Sequence, residues 1–219
     1  MWRDGRVLVP FLNDAPYADK PPLLFWLIEA IWLVTGVSET AARLIPPAAG
    51  IGAAALTGWV AHLLWPNRRG LPAAAMLMVV ASPIVLLFAT LVRFDILLTC
   101  WVLLALAGVL KVWRTGDRRW WLMCGLGIGL GLLTKGPVAL VLTLPAALFA
   151  PLWVAQKPDG GWGRWYGGTG VAVAVAAAIG LAWVLPAAFT GGEEYRDLIL
   201  WHQTAGRIAN AFDHKRPFY

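Results

Sequence analysis

The sequence predicts an all-α protein, a polytopic transmembrane helix bundle of about six spans with one further helix lying at the external interface. Three observations carry this. Of the 219 residues, 59% are hydrophobic and 14% charged, against roughly 25% charge in a soluble globular domain. The mean hydropathy is +0.67, and the apolar residues gather in runs of about 20, the length that crosses a hydrocarbon core. Lysines and arginines are sorted into alternate loops, as in chains threaded through a membrane. Together these exclude a soluble enzyme, a disordered tail and a disulfide scaffold. The net charge of +6 reflects loop bias rather than a nucleic-acid partner.

The expected spans are 44–65, 71–92, 95–113, 120–135, 137–155 and 168–189. The fourth is short, and its Gly125/Gly129 and Gly127/Gly131 pairs predict close helix contact. Loops 66–70, 111–119 and 156–167 carry eight cations (Arg68, Arg69, Lys111, Arg114, Arg118, Arg119, Lys157 and Arg164), whereas the intervening turns carry Arg93 and Lys135. The first group is therefore cytoplasmic. Trp59, Trp65, Trp113, Trp120, Trp121, Trp153, Trp162 and Trp165 lie near those ends and read as an interfacial belt.

Three regions follow. Residues 1–43 form an external loop with an interfacial helix, 44–189 the transmembrane bundle, and 190–219 the start of a later external loop. Segment 21–37 is apolar but short, opened by two prolines and carrying Glu29, which suits a helix at the interface better than a span. Residues 1–20 are polar and contain no leader-like apolar core. Cys100 and Cys124 sit inside apolar runs and read as buried small hydrophobes.

Polar groups inside a membrane are costly, so their placement is informative. His62 is the one ionisable group expected well inside a span, whereas Tyr17, Asp19, Lys20, Arg93, Asp95, Lys135, His202, Arg207 and His214 gather at the external ends. Lys20, just before Pro21-Pro22, either pairs with a lipid phosphate or snorkels at the interface. Asp19 either binds a cation or closes a turn. Asp95 is either a helix cap, a partner of Arg93, or a carboxylate near a reacting hydroxyl. Lys135 in Leu133-Thr134-Lys135-Gly136-Pro137 is a stop signal or a phosphate contact. His202 and Arg207 diverge by about 140° on an ideal helix, yet can flank one cavity. Protease, hydrolase and nucleotide-triphosphatase motifs are absent, and no nucleotide cofactor is expected.

The ordered set Tyr17-x-Asp19-Lys20-Pro21-Pro22-Leu23, Trp26, Gly36, Ala41-Ala42-Arg43-Leu44, Arg93-x-Asp95, Leu133-Thr134-Lys135-Gly136-Pro137 and His214-x-x-Pro217-x-Tyr219 resembles the bacterial branch of the dolichyl-phosphate-mannose–protein mannosyltransferase superfamily. The resemblance runs along essentially the whole chain. It implies a GT-C-like fold and an inverting glycosyltransferase in the bacterial inner membrane, its active face periplasmic. Such an enzyme moves a sugar from a polyprenyl-phosphate carrier to a lipid A-like or other hydroxyl acceptor, among membrane lipids. By the same resemblance Lys20 and Arg207 contact the carrier phosphate, with Tyr17 and Lys135 as further substrate-binding residues. Asp95 lies at the catalytic centre, and Asp19 with His202 resembles a divalent metal pair, for which zinc or magnesium would serve. The pattern starts after the family's first helix and its acidic motif and stops within a later loop, so a longer parent protein is expected. A fragment of a transporter or lipid flippase is the alternative; it predicts polar groups near mid-membrane or repeated broken helices.

Overall fold

The computed structural model describes residues 2, 7–12, 15–17 and 19–199. Among these residues a pair of two-residue strands, β1 (Phe11–Leu12) antiparallel to β2 (Ala15–Pro16), precedes eleven helices. These are α1 (Leu23–Thr35), α2 (Glu39–Ala42), α3 (Ile45–Leu64), α4 (Leu71–Ala81), α5 (Pro83–Thr90), α6 (Phe94–Thr115), α7 (Trp120–Lys135), α8 (Val138–Leu148), α9 (Ala150–Trp153), α10 (Gly161–Thr190) and α11 (Gly192–Asp197).

All six expected spans are helical, but they differ in build. Apolar helical stretches long enough to cross a membrane cover 39–64 (α2 running into α3), 94–115 and 161–190. The segment expected as one span over 71–92 is instead bent by 64° between α4 and α5. Pro83 explains the break: it has no N–H to continue the ladder and forces Ser82 into extended backbone (φ −72°, ψ 118°). Likewise 137–155 divides into α8 and α9, with Pro145 inside α8 and Phe149 at the junction. α7 and α8 are shorter apolar helices. The last span begins seven residues earlier than expected, at Gly161, because the loop ends on Gly160 and Gly161, both at positive φ.

The bundle is organised around α7. Gly127 faces α6, where a Cβ would lie 2.7 Å from the Ala105 nitrogen and the Trp101 oxygen, and Gly131 sits between α8 and α6, its Cβ 2.6 Å from Ala139 Cβ and 3.5 Å from Leu98 Cδ1. Gly125 and Gly129 face α10, where Cβ atoms would meet Ala172 O at 2.7 Å and Ile179 Cδ1 at 2.6 Å. Residues two apart on a helix differ by about 200°, so the two interleaved glycine pairs serve opposite neighbours. Gly108 on α6 completes the first seam, 2.7 Å (as a Cβ) from the Cys124 nitrogen. Pairing 108 with 124, 105 with 127 and 98 with 131 makes α6 and α7 antiparallel. Pairing 125 with 172 and 129 with 179 makes α7 and α10 parallel.

Two tryptophans expected in the interfacial belt belong to this core instead. Trp121 and Trp165 are 1% and 2% exposed and meet edge to face at 5.1 Å. The Trp165 indole donates to Ala147 O at 2.9 Å, which satisfies its buried N–H. His62 is also not deep within a span: it lies exposed in the last turn of α3.

α1 crosses the end at which α3 and α6 begin and α7 and α10 finish. Leu24 packs with Ile45, Ala49, Ile96 and Leu97, and Leu23 with Leu133, Trp183 and Ala187. At 13 residues it is too short to span, and its far end leaves Leu33 and Val34 exposed, as a helix in contact with lipid would.

Candidate active site

Each element at this end delivers one charged or aromatic group. α6 follows Arg93 in extended backbone (φ −133°, ψ 156°), and no side chain caps it. Asp95 is therefore not the helix cap that its position allowed. It sits in the first turn with its two oxygens turned to different cations. Oδ1 accepts from Lys135 Nζ at 2.5 Å, and Oδ2 lies 3.6 Å from Arg93 Nε. The pair is half-buried, Lys135 34% and Asp95 32% exposed. Arg93 is held in turn over the Phe88 ring, 5.2 Å from its centroid.

Lys135 reaches Asp95 because α7 stops there. Gly136 takes φ +71°, which other L-residues adopt only with strain, and its N–H closes on Leu132 O at 2.9 Å. A Cβ would meet nothing at Gly136, so backbone conformation alone explains the glycine. Pro137 then opens α8 in the opposite direction. The string Leu-Thr-Lys-Gly-Pro thus makes a tight reversal with an ammonium at its tip.

The Tyr17–Lys20 segment approaches through aromatic rings. Tyr17 meets Phe25 edge to face at 6.5 Å, and Phe25 meets Phe94 at 5.8 Å. Phe94 directly precedes Asp95, so three rings tie Tyr17 to the first turn of α6. Lys20 is half-buried and Asp19 exposed, immediately before Pro22 starts α1 with its carbonyl accepting from Trp26 N at 2.9 Å. The structure therefore brings Tyr17, Asp19, Lys20, Asp95 and Lys135 to one end of the bundle. His202 and Arg207, assigned to metal and carrier phosphate, lie outside the described residues, as does His214. Among the described residues no three of His, Cys, Asp and Glu gather as a metal site.

The pairing of Arg93 with Asp95 was one of the alternatives open in the sequence, whereas two other features were missed. Trp26 and Trp183, from α1 and α10, donate to the adjacent carbonyls of Val7 and Leu8 at 2.7 and 2.9 Å; a tryptophan near a helix end needs such an acceptor when it is covered. Tyr195 on α11 is fully buried beside Val9, Leu23 and Trp183. Burial pushes its phenol up to about 12.

The family model described as dolichyl-phosphate-mannose-protein mannosyltransferase matches residues 19–188. The chain is 31% identical to undecaprenyl phosphate-alpha-4-amino-4-deoxy-L-arabinose arabinosyl transferase 1 of Pseudomonas fluorescens (strain Pf0-1), over 100% of this chain and 38% of that protein. It is 30% identical to the corresponding transferase of Pectobacterium atrosepticum, over 100% of this chain and 39% of that protein. The fold superposes on ArnT from Cupriavidus metallidurans bound to undecaprenyl phosphate with a TM-score of 0.77 and 22% identity, covering 94% of this chain and 38% of that one. The apo form of the same protein gives the same score, covering 92% and 37%. The chain thus spans about two-fifths of the length of the relatives it matches. The helix order and the bundle are those of the GT-C membrane fold, and the chain belongs to the dolichyl-phosphate-mannose-protein mannosyltransferase family.

Proposed function

We propose that this chain forms part of an inverting membrane glycosyltransferase that moves a sugar from an undecaprenyl-phosphate carrier to a hydroxyl acceptor. The observation that carries the reading is Asp95 joined to Lys135 and Arg93, at the bundle end to which the Tyr17–Phe25–Phe94 rings bring Lys20. The names of the relatives support 4-amino-4-deoxy-L-arabinose as the sugar, and the acceptor class is lipid A or a similar glycolipid. The active end faces the periplasm of the inner membrane, because the opposite end carries most of the loop cations.

Chemically, the leaving group is a lipid phosphate, already stable as an anion. Lys20 and Arg207 stabilise the negative charge that grows on it as the glycosidic bond breaks, and Tyr17 lines the same approach. A carboxylate takes the proton from the attacking hydroxyl. Asp95 is one carboxylate at the centre, and the 2.5 Å ion pair favours a second role for it: holding Lys135 where an anion can meet its remaining N–H donors. Asp19 and His202 remain the pair proposed to share a divalent ion, with zinc or magnesium both suited to a carboxylate–imidazole set.

The test is a transfer assay with the full-length protein in vesicles, using undecaprenyl-phosphate-linked aminoarabinose as donor and lipid A as acceptor. Lys20→Ala is expected to lower turnover on the order of 100-fold, as loss of one charge-stabilising donor does. Retained transfer in that variant would remove Lys20 from the carrier site and the reading with it.

A further inference from the structure

The opposite end of the bundle carries a charged surface that the transfer reaction does not use. The last turns of α6 and the turn that follows present Lys111, Arg114, Arg118 and Arg119, while Lys157 in the loop before α10 and Arg164 in the first turn of α10 lie beside them. The two loops are docked on each other: a Cβ at Gly116 would lie 3.0 Å from Asp159 Oδ2, and Trp113 meets Trp153 edge to face at 5.5 Å. The six cations therefore share one face. Among the described residues none of them forms an ion pair with a carboxylate. The two acids nearby do not neutralise them, since Asp117 accepts from the Arg119 backbone N–H at 2.9 Å and Asp159 lies against Gly116.

Beneath the cations lies an aromatic shelf. Lys111 Nζ is 4.8 Å over the Trp120 ring and the Arg114 guanidinium 5.7 Å from the Trp113 ring. Indoles at helix ends sit at headgroup depth, so cations resting on them are held level with lipid phosphates. Loop charge bias accounts for the sign of this surface. It does not account for six cations left without carboxylate partners on a ring-lined face. Six cations against Asp117 and Asp159 leave a net charge of +4 on this face, and the remaining counter-charge fits what a leaflet of anionic lipid supplies.

We propose that this face is a docking surface for the phosphate headgroups of anionic phospholipids such as phosphatidylglycerol, drawn from the leaflet at that end of the bundle. Arginine forks take phosphate oxygens in pairs, and the tryptophan shelf packs against the glycerol and carbonyl region. The proposal is independent of the chemistry at the other end.

The experiment uses the full-length protein in phosphatidylcholine bilayers containing brominated-chain phosphatidylglycerol, with brominated phosphatidylcholine as reference and tryptophan quenching as readout. The expected preference for phosphatidylglycerol is roughly fivefold or more, the size that a single near-surface cation supplies. It is expected to fall severalfold in Arg114→Gln/Arg118→Gln/Arg119→Gln/Lys157→Gln, which leaves Lys111 and Arg164, and to persist in Arg43→Gln, a cation at the other end that pairs with Glu39. If the quadruple variant does not fold, Arg114→Gln and Lys157→Gln singly should each lower the preference. A wild-type protein without preference, or a preference untouched by these substitutions, overturns the proposal. So does a preference that disappears when inorganic phosphate replaces chloride at equal ionic strength, which would assign the surface to a soluble anion.

Discussion

Asp95 in the first turn of α6 and Lys135 in the last residue of α7 are 40 positions apart and meet at 2.5 Å. The contact exists because the two helices run antiparallel on a glycine seam, so the start of one is level with the end of the other. It fixes an ammonium whose carboxylate partner among the described residues is shared with Arg93.

Breaking this pair should affect catalysis more than folding. Lys135→Ala leaves Asp95 with Arg93, and with both members about a third exposed the ion pair contributes little to stability. The expected outcome in the full-length protein is a loss of transfer on the order of 100-fold with a melting temperature within a few degrees of wild type. A large drop in melting temperature with proportionate activity per folded molecule would make the pair structural.

The glycines of α7 should not tolerate even one methyl. Gly127→Ala places a Cβ 2.7 Å from α6 backbone atoms, which cannot yield as a side-chain tip does. Separation of the helices should cost about 1–3 kcal/mol. Gly167→Ala on α10 is the contrast, since nothing lies within 4 Å of its Cβ, and the exchange should stabilise by up to about 1 kcal/mol through helix propensity. Thermal melts of the two variants in one detergent decide the matter; equal behaviour would refute the seam.

Glu29 on α1 should make stability depend on pH. Its Oε2 is buried without a hydrogen-bond partner among the described residues, and desolvation raises its carboxyl above the ordinary value of 4.5. A raised carboxyl keeps its proton longer in the folded state than in the unfolded one. Its effect is therefore absent below the unfolded value, grows into a penalty as pH climbs from the unfolded to the folded value, and stays at full size above it. Glu29→Gln should raise the melting temperature at pH 8 and change it little at pH 4. A gain of equal size at both would assign the effect to packing rather than charge.

Trp183→Phe should loosen the segment ahead of α1. The substitution keeps most of the apolar surface but deletes the donor to Leu8 O, a loss of about 1 kcal/mol. Limited proteolysis near residues 7–10 is expected to quicken while the bundle core stays resistant. Unchanged cleavage would mean that Trp26, which holds Val7 O, suffices alone.

Much of this arrangement was legible in the sequence for identifiable reasons. The six helical segments follow from apolar length, and α7 was bounded to the residue because Arg119 and Gly136-Pro137 flank it. The glycine pairs announced close contacts, though not that each pair meets a different neighbour, which depends on where α6 and α10 lie in space. Asp95 and Lys135 were both singled out, but their meeting is a tertiary fact set by helix register, and local rules favoured a cap. Trp121 and Trp165 were misplaced for a related reason. Proximity to a loop suggests the interface, whereas the neighbour that covers an indole cannot be read from its own segment. The bend at Ser82–Pro83 was visible as a proline and was passed over because the hydropathy on either side is continuous.

The glycine seams of α7 also act as a length gauge. A helix sliding against a neighbour moves in steps of one turn, about 5.4 Å, and bulky side chains can repack after such a step. Here the α7 side of each seam is bare glycine backbone, pressed on α6 backbone at Gly127, on α10 backbone at Gly125 and on the Ile179 side chain at Gly129. A slip in either direction would lift Lys135 clear of Asp95 and push Gly136 out of its turn at once. The separation between the two charged groups is thus metered by a part of the helix that carries no charge, buried well away from water, and wear at that gauge would show first as a misaligned reaction centre.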